Sequence, residues 1–124
     1  MNYCRCPPAP GSYTSTGIPS TPATPKIDYT RYPGYHALTH FRRECERTAD
    51  GWMTLASLTR TDEGRDVWLA TLTDPQGGPP EDKPAYYVQA NMHSHEMCGT
   101  IAACHLIQTL LDGADARRLL AALT

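Results

Sequence analysis

Residues 85–111 constrain the fold of this chain most strongly, because three patterns follow one another there as they do in α/β proteins. The run 85–90 is almost wholly apolar or aromatic, which is typical of an inner strand covered on both faces. His93 and Glu96 follow at once as a His-x-x-Glu pair. Residues 96–111 then show the periodicity of a helix. The order predicts a strand, a turn that carries polar groups, and a helix.

His93 and Glu96 are candidate zinc ligands. Zinc accepts imidazole nitrogen and carboxylate oxygen, and catalytic sites usually combine three protein ligands with one open position. Residues i and i+3 in the first turn of a helix face the same way, so the pair would supply two ligands. Met97 and Gly99 exclude the motifs His-x-x-Glu-His and His-Glu-x-x-His. Spacing alone favours a plainer interpretation, in which two polar residues begin an exposed helix and Glu96 complements its dipole.

The wider context resembles the metal-ligand region of the M14 family of zinc carboxypeptidases. That family carries a strand, an Asn-x-His-x-x-Glu turn, and then a helix of small and apolar residues. The corresponding segments here are 86–88, 91–96 and 99–103. Upstream, residues 63–68 resemble the Gly-Arg turn of the family and the strand after it, and residues 35–45 resemble its first helix. The order and spacing of these segments carry the resemblance.

The resemblance implies a zinc-dependent metallocarboxypeptidase, which hydrolyses the C-terminal peptide bond of a peptide or protein. It implies Zn²⁺ as the cofactor and His93 and Glu96 as metal ligands. In the family, the third ligand (a histidine), the substrate-binding arginines and the general-base glutamate lie further downstream than Thr124. We therefore expect no catalytic residue in this chain, which would correspond to the N-terminal portion of the domain.

Two other functions stay open at this point. A desuccinylase-like or aspartoacylase-like zinc amide hydrolase shares the same ligand pair on a related fold. A non-catalytic remnant of a peptidase would fold or bind without chemistry.

The predicted fold is α/β, the N-terminal part of a mixed-sheet zinc carboxypeptidase-like fold with about three strands and three helices. A disordered tail rich in Pro, Ser and Thr is expected at 1–31, since such a composition buries too little apolar surface to offset its ordering entropy. Residues 32–124 would form the partial domain. Four further elements are predicted in chain order: a helix at 35–48, strands at 53–59 and 67–73 paired as an antiparallel hairpin, and a helix at 115–123.

Composition limits the partners and the compartment. Eleven basic and 13 acidic residues give a net charge of −2, without the clustered Lys and Arg of a nucleic-acid surface. No apolar stretch reaches the roughly 20 residues of a membrane span. The N-terminal residues lack the apolar core of a secretory signal, so we expect a cytoplasmic protein. Five cysteines do not suggest a disulfide framework, and Cys98 and Cys104 are predicted to pack as small apolar residues.

Five other polar residues have predicted roles. His95 is expected to be solvated, although it lies between the two candidate ligands. His105 is expected to pack inside its helix among apolar neighbours. His36 and His40 form an i, i+4 pair that is expected to be exposed. Asn91 is expected to hold the corner between strand and helix, because Asn bonds readily to nearby backbone.

Overall fold

A computed structural model describes residues 23–124. The predicted tail at 1–31 therefore lies mostly outside the described residues, and its boundary at residue 31 stays a prediction. The described residues form three α-helices, a two-stranded antiparallel sheet and one 3-10 turn, which confirms the α/β class. In chain order they are α1 (Tyr35–Thr48), β1 (Met53–Arg60), β2 (Asp66–Leu72), the 3-10 turn (Pro80–Asp82), α2 (Met97–Asp112) and α3 (Ala114–Ala122).

Helix α1 has the bounds that the sequence predicted. Phe41, Cys45 and Thr48 are its buried residues, and their spacing of four and three places them on one face of a helix. The chain leaves the helix through Asp50 and Gly51, which both adopt positive φ angles, of 50° and 84°. Asp and Gly tolerate this left-handed conformation, so the sequence ends α1 here and redirects the chain into β1.

The two strands form the predicted hairpin. Their register runs from Met53 opposite Leu72 to Arg60 opposite Asp66, with one irregularity between Ser57 and Thr59. The connecting turn is closed by a hydrogen bond from the Thr61 N–H to the Arg65 carbonyl, at 2.9 Å. Glycine at position 64 allows the positive φ of 75° that this turn requires.

The predicted third strand is wrong for the described residues. Segment 85–90 is assigned to no helix or strand, and it is not covered on both faces, since Tyr86 and Tyr87 are 75% and 73% exposed. Among residues 23–124 its backbone pairs only with Thr124, whose N–H donates to the Pro84 carbonyl at 3.1 Å and whose carbonyl accepts from the Tyr86 N–H at 2.9 Å. The apolar composition of this segment favours strand formation, but a strand also needs a neighbouring strand along its length.

Helices α2 and α3 lie within one residue of their predicted bounds. The end of α3 is attached to the end of β2, because the Asp74 N–H donates to the Leu120 carbonyl at 2.9 Å. Arg117 connects α3 to the end of α2 and to Trp52. Its guanidinium donates to the Leu111 carbonyl near the end of α2 and lies 5.0 Å from the centre of the Trp52 ring. Among residues 23–124, no helix combines the length and apolar character that crossing a bilayer requires.

The core lies between α1, the start of β1 and α2. Its buried residues are Phe41, Cys45, Ala49, Met53, Cys104 and Leu111. The segment before α1 covers part of this core, because Ile27 packs against the cluster and the Pro25 carbonyl accepts a 2.6 Å hydrogen bond from the Gln108 amide. Described residues on the N-terminal side of position 31 therefore contribute to packing.

Two predictions about α2 are wrong. Cys98 is exposed and not packed, although Cys104 is buried as predicted. His105 is exposed, and its ring lies against the ring of Tyr29 with the centroids 5.6 Å apart. The buried residues of α2 are Cys104, Gln108 and Leu111. Positions 98 and 105 are seven residues apart, so they lie together on a side of the helix that differs from the buried side. Apolar neighbours in the sequence therefore did not indicate that these two residues are buried.

Burial predicts which thiols react. Iodoacetamide at pH 8 should modify Cys98 in the folded chain, while Cys45 and Cys104 should react only after unfolding, because the thiolate is the nucleophile and burial suppresses it. Peptide mapping by mass spectrometry measures each site. Equal rates at Cys45 and Cys98 under native conditions would show that the core between α1 and α2 is open.

The same burial predicts a loss of stability in alkali. Burial, followed by the nearby Cys104 thiol, raises the pKa of Cys45 from 9.0 to about 12. The unfolded chain therefore loses this proton first, and the free energy of unfolding should fall as the pH rises from about 9 towards 12. Urea denaturation measures the slope. The slope should be smaller in Cys45→Ala, and an unchanged slope in that variant would contradict the assignment.

Candidate metal centre

The chain turns into α2 at Asn91. This residue has a positive φ of 59°, a left-handed conformation that Asn adopts more readily than most residues. Asn91 therefore marks the predicted corner through its backbone conformation, and its side chain makes no hydrogen bond to another described residue. The Glu96 N–H donates to the His93 carbonyl at 3.0 Å, which closes the turn that follows. The candidate ligands thus lie in a turn that precedes α2, not in its first helical turn.

His93 and Glu96 are in direct contact across this turn. His93 Nδ1 lies 3.1 Å from Glu96 Oε1, and the His93 N–H lies 3.5 Å from Glu96 Oε2. Both oxygens of the Glu96 carboxylate therefore contact His93. Glu96 is also the N-cap residue of α2, where the positive end of the helix dipole favours a negative charge. Both side chains are open to solvent, at 63% and 48% exposure.

The separation of the two donor atoms fits a shared zinc ion. Two ligands bound at about 2.0–2.1 Å in tetrahedral geometry lie about 3.3 Å apart, and the observed separation is 3.1 Å, which is also the distance of a direct hydrogen bond between the two side chains. The donor types, imidazole nitrogen and carboxylate oxygen, are also those of catalytic zinc sites. Residues 23–124 contain no group of three or more His, Cys, Asp or Glu side chains that could hold a metal. The pair therefore fits part of a zinc site, while zinc ligation itself stays a prediction.

The other histidines lie where the sequence predicted them, except His105. His95 is exposed, and its ring stacks on the His93 ring with the centroids 5.9 Å apart and the planes inclined by 20°. His36 and His40 are exposed on α1.

Gly99 lets α2 lie close to the residues that lead into the site. A Cβ atom at position 99 would be 3.4 Å from the Ala90 Cβ and 3.7 Å from the Asn91 nitrogen. This is ordinary van der Waals contact, with little room for more atoms. No packing role was predicted for Gly99, which in the sequence is only one of the small and apolar residues of 99–103.

One family of known proteins matches this chain. The family model described as zinc carboxypeptidase matches residues 38–123, well over half of the chain. The chain therefore belongs to the zinc carboxypeptidase family. The match includes most of α1, the hairpin, α2, all of α3 and both residues of the His93–Glu96 pair. Comparison with curated proteins gave no match, and comparison with solved structures gave none either.

The packing at Gly99 predicts a size threshold. Gly99→Ala should be tolerated, or should stabilise the chain by about 0.5–1 kcal/mol, because Ala favours the helix and its Cβ makes only ordinary contact. Gly99→Val should destabilise it by about 1–3 kcal/mol, because its extra methyl groups would push against Ala90 and Asn91. Urea denaturation compares the two variants. Equal destabilisation by Ala and Val would mean that α2 lies closer to segment 85–90 than the structure shows.

Proposed function

We propose that this chain supplies part of the active site of a zinc-dependent metallocarboxypeptidase that hydrolyses the C-terminal peptide bond of peptides or proteins. Membership of the zinc carboxypeptidase family supports hydrolytic chemistry on peptides. The observation that carries the proposal for this chain is the 3.1 Å contact between His93 Nδ1 and Glu96 Oε1 inside the matched region. In this proposal the two side chains hold Zn²⁺ together.

The surrounding turn supports this role for the pair. The backbone hydrogen bond between Glu96 and His93 holds the two residues in one turn, and the contact between their side chains already brings the two donor atoms together. The negative charge of Glu96 offsets part of the charge of a divalent cation. Zinc, when bound, would act as a Lewis acid that polarises the scissile carbonyl group. The exposure of both side chains leaves space for substrate and for further ligands.

The rest of the chemistry needs groups that the described residues do not bring to the pair. Residues 23–124 provide no third ligand next to it. The resemblance implies a further histidine ligand, a general-base glutamate and an arginine that binds the substrate carboxylate through two hydrogen bonds. In this proposal those groups come from outside the described region.

The proposal predicts weak zinc binding by the 124-residue chain alone. We expect a Kd above about 1 μM, because the binding energies of about 10–16 kcal/mol known for structural zinc belong to complete ligand sets. His93→Ala and Glu96→Ala should each raise the Kd at least about tenfold. Calorimetric titration with zinc measures binding, and release of a C-terminal amino acid from a peptide measures turnover, which we expect to be absent.

Two variants control this experiment. His40→Ala removes one member of the exposed i, i+4 pair on α1, and Glu81→Ala removes an exposed carboxylate outside the turn. Neither should change the Kd. Sub-micromolar binding with zinc-dependent turnover would show that residues of this chain complete the site. A Kd that depends on His40 but not on His93 would move the metal to α1 and contradict the proposal.

A further inference from the structure

Residues 93–96 form a tight turn that places two imidazole rings side by side. The Glu96 N–H donates to the His93 carbonyl at 3.0 Å, which is the hydrogen bond of a β-turn with Ser94 and His95 as its central residues. The turn brings the His95 ring against the His93 ring, with the centroids 5.9 Å apart and the planes inclined by 20°. Offset-stacked aromatic pairs have centroid separations in this range.

The His93 ring is therefore held at two places. Its Nδ1 atom lies 3.1 Å from Glu96 Oε1, and its face lies against the ring of His95. The His93 side chain is exposed and lies outside the core cluster, so contacts within the turn have to orient it. A contact at the edge of the ring does not define the tilt of the ring plane, whereas a stacked neighbour does.

The tilt of this ring matters for metal binding. The lone pair of an imidazole nitrogen lies in the plane of the ring, so the plane of His93 determines where a cation can lie relative to the Glu96 carboxylate. Groups that orient a ligating histidine commonly change metal affinity by about 10–100-fold. A side chain that is already ordered also loses less conformational freedom when it binds.

The geometry favours an orienting role for His95 over direct ligation. Nearly parallel stacked rings direct their in-plane lone pairs along separate planes, so the two imidazoles do not converge on one ion. Consistent with this, residues 23–124 contain no group of three side chains that could hold a metal, although His93, His95 and Glu96 are close in sequence.

We propose that His95 is a positioning residue for the ligand pair, an inference that rests on the proposed zinc function of His93 and Glu96. Its ring, stacked on the His93 ring, holds that imidazole in the orientation in which Nδ1 and the Glu96 carboxylate face one cation. The role belongs to the flat ring of His95 and not to its nitrogen atoms, so another aromatic side chain at position 95 can replace it.

Two variants of His95 separate the ring from its nitrogen atoms. In the full 124-residue chain, calorimetric titration with zinc should show a Kd about three- to tenfold higher in His95→Ala, the range that an aromatic pair contributes. His95→Phe keeps a ring that can stack and should restore the Kd to within about twofold of the unaltered chain. Ser94→Ala changes the other central residue of the same turn and should leave the Kd equally unaffected.

The outcomes distinguish this role from the zinc site itself. Equal weakening by His95→Ala and His95→Phe would show that a nitrogen of His95 binds the metal and would overturn the positioning role. An unchanged Kd in both variants, with zinc binding still lost in His93→Ala, would also overturn it while leaving the proposed function intact. An unchanged Kd in His93→Ala would contradict the proposed function and the positioning role together.

A measurement without metal tests the orientation directly. With a chelator present, three-bond NMR couplings of His93 should report one staggered χ1 rotamer in the unaltered chain and in His95→Phe. The same couplings should report averaging between rotamers in His95→Ala. Averaged couplings in the unaltered chain, or a single rotamer that persists in His95→Ala, would show that His95 does not hold the His93 ring.

Discussion

The core cluster that joins α1, the start of β1 and α2, with Cys45 and Cys104 among its most buried members, is the interaction on which the rest of the structure depends. Cys45 and Cys104 are 0% and 1% exposed and belong to one core cluster with Phe41 and Met53. The cluster is small, so most of the favourable burial depends on these few contacts. Because α2 begins directly after the turn that carries His93 and Glu96, the position of that turn depends on how α2 packs in this core.

The sequence predicted those elements whose cause is local. The periodicity of α1, the left-handed Asp50 and Gly51 that end it, and the glycine turn of the hairpin all act within a few residues. The third strand failed for the opposite reason. Segment 85–90 has the composition of an inner strand, but its neighbours in space are not set by its own residues, and only Thr124 pairs with it among the described residues.

In the candidate site, too, the local arrangement could be predicted from the sequence and the contribution of distant residues could not. The His-x-x-Glu spacing predicted that His93 and Glu96 would lie together, and the turn places Nδ1 and Oε1 in contact. A further ligand could not be assigned, because metal sites combine residues that are distant in sequence. Burial on α2 was equally hard to predict, since Cys98 and Cys104 have the same chemistry and differ only in the stripe of the helix that they occupy. Which stripe faces α1 is a tertiary property.

The most direct test of the account is the identity of the atoms that bind zinc. X-ray absorption spectroscopy on the zinc-loaded chain measures them, because nitrogen and oxygen ligands lie at about 2.0–2.2 Å and thiolate sulfur at about 2.3 Å. We predict a shell of nitrogen and oxygen only, with one imidazole that is lost in His93→Ala. Sulfur in the shell, for example from the exposed Cys98 two residues after Glu96 in the sequence, or an imidazole that persists in His93→Ala, would contradict the assignment of the His93–Glu96 pair.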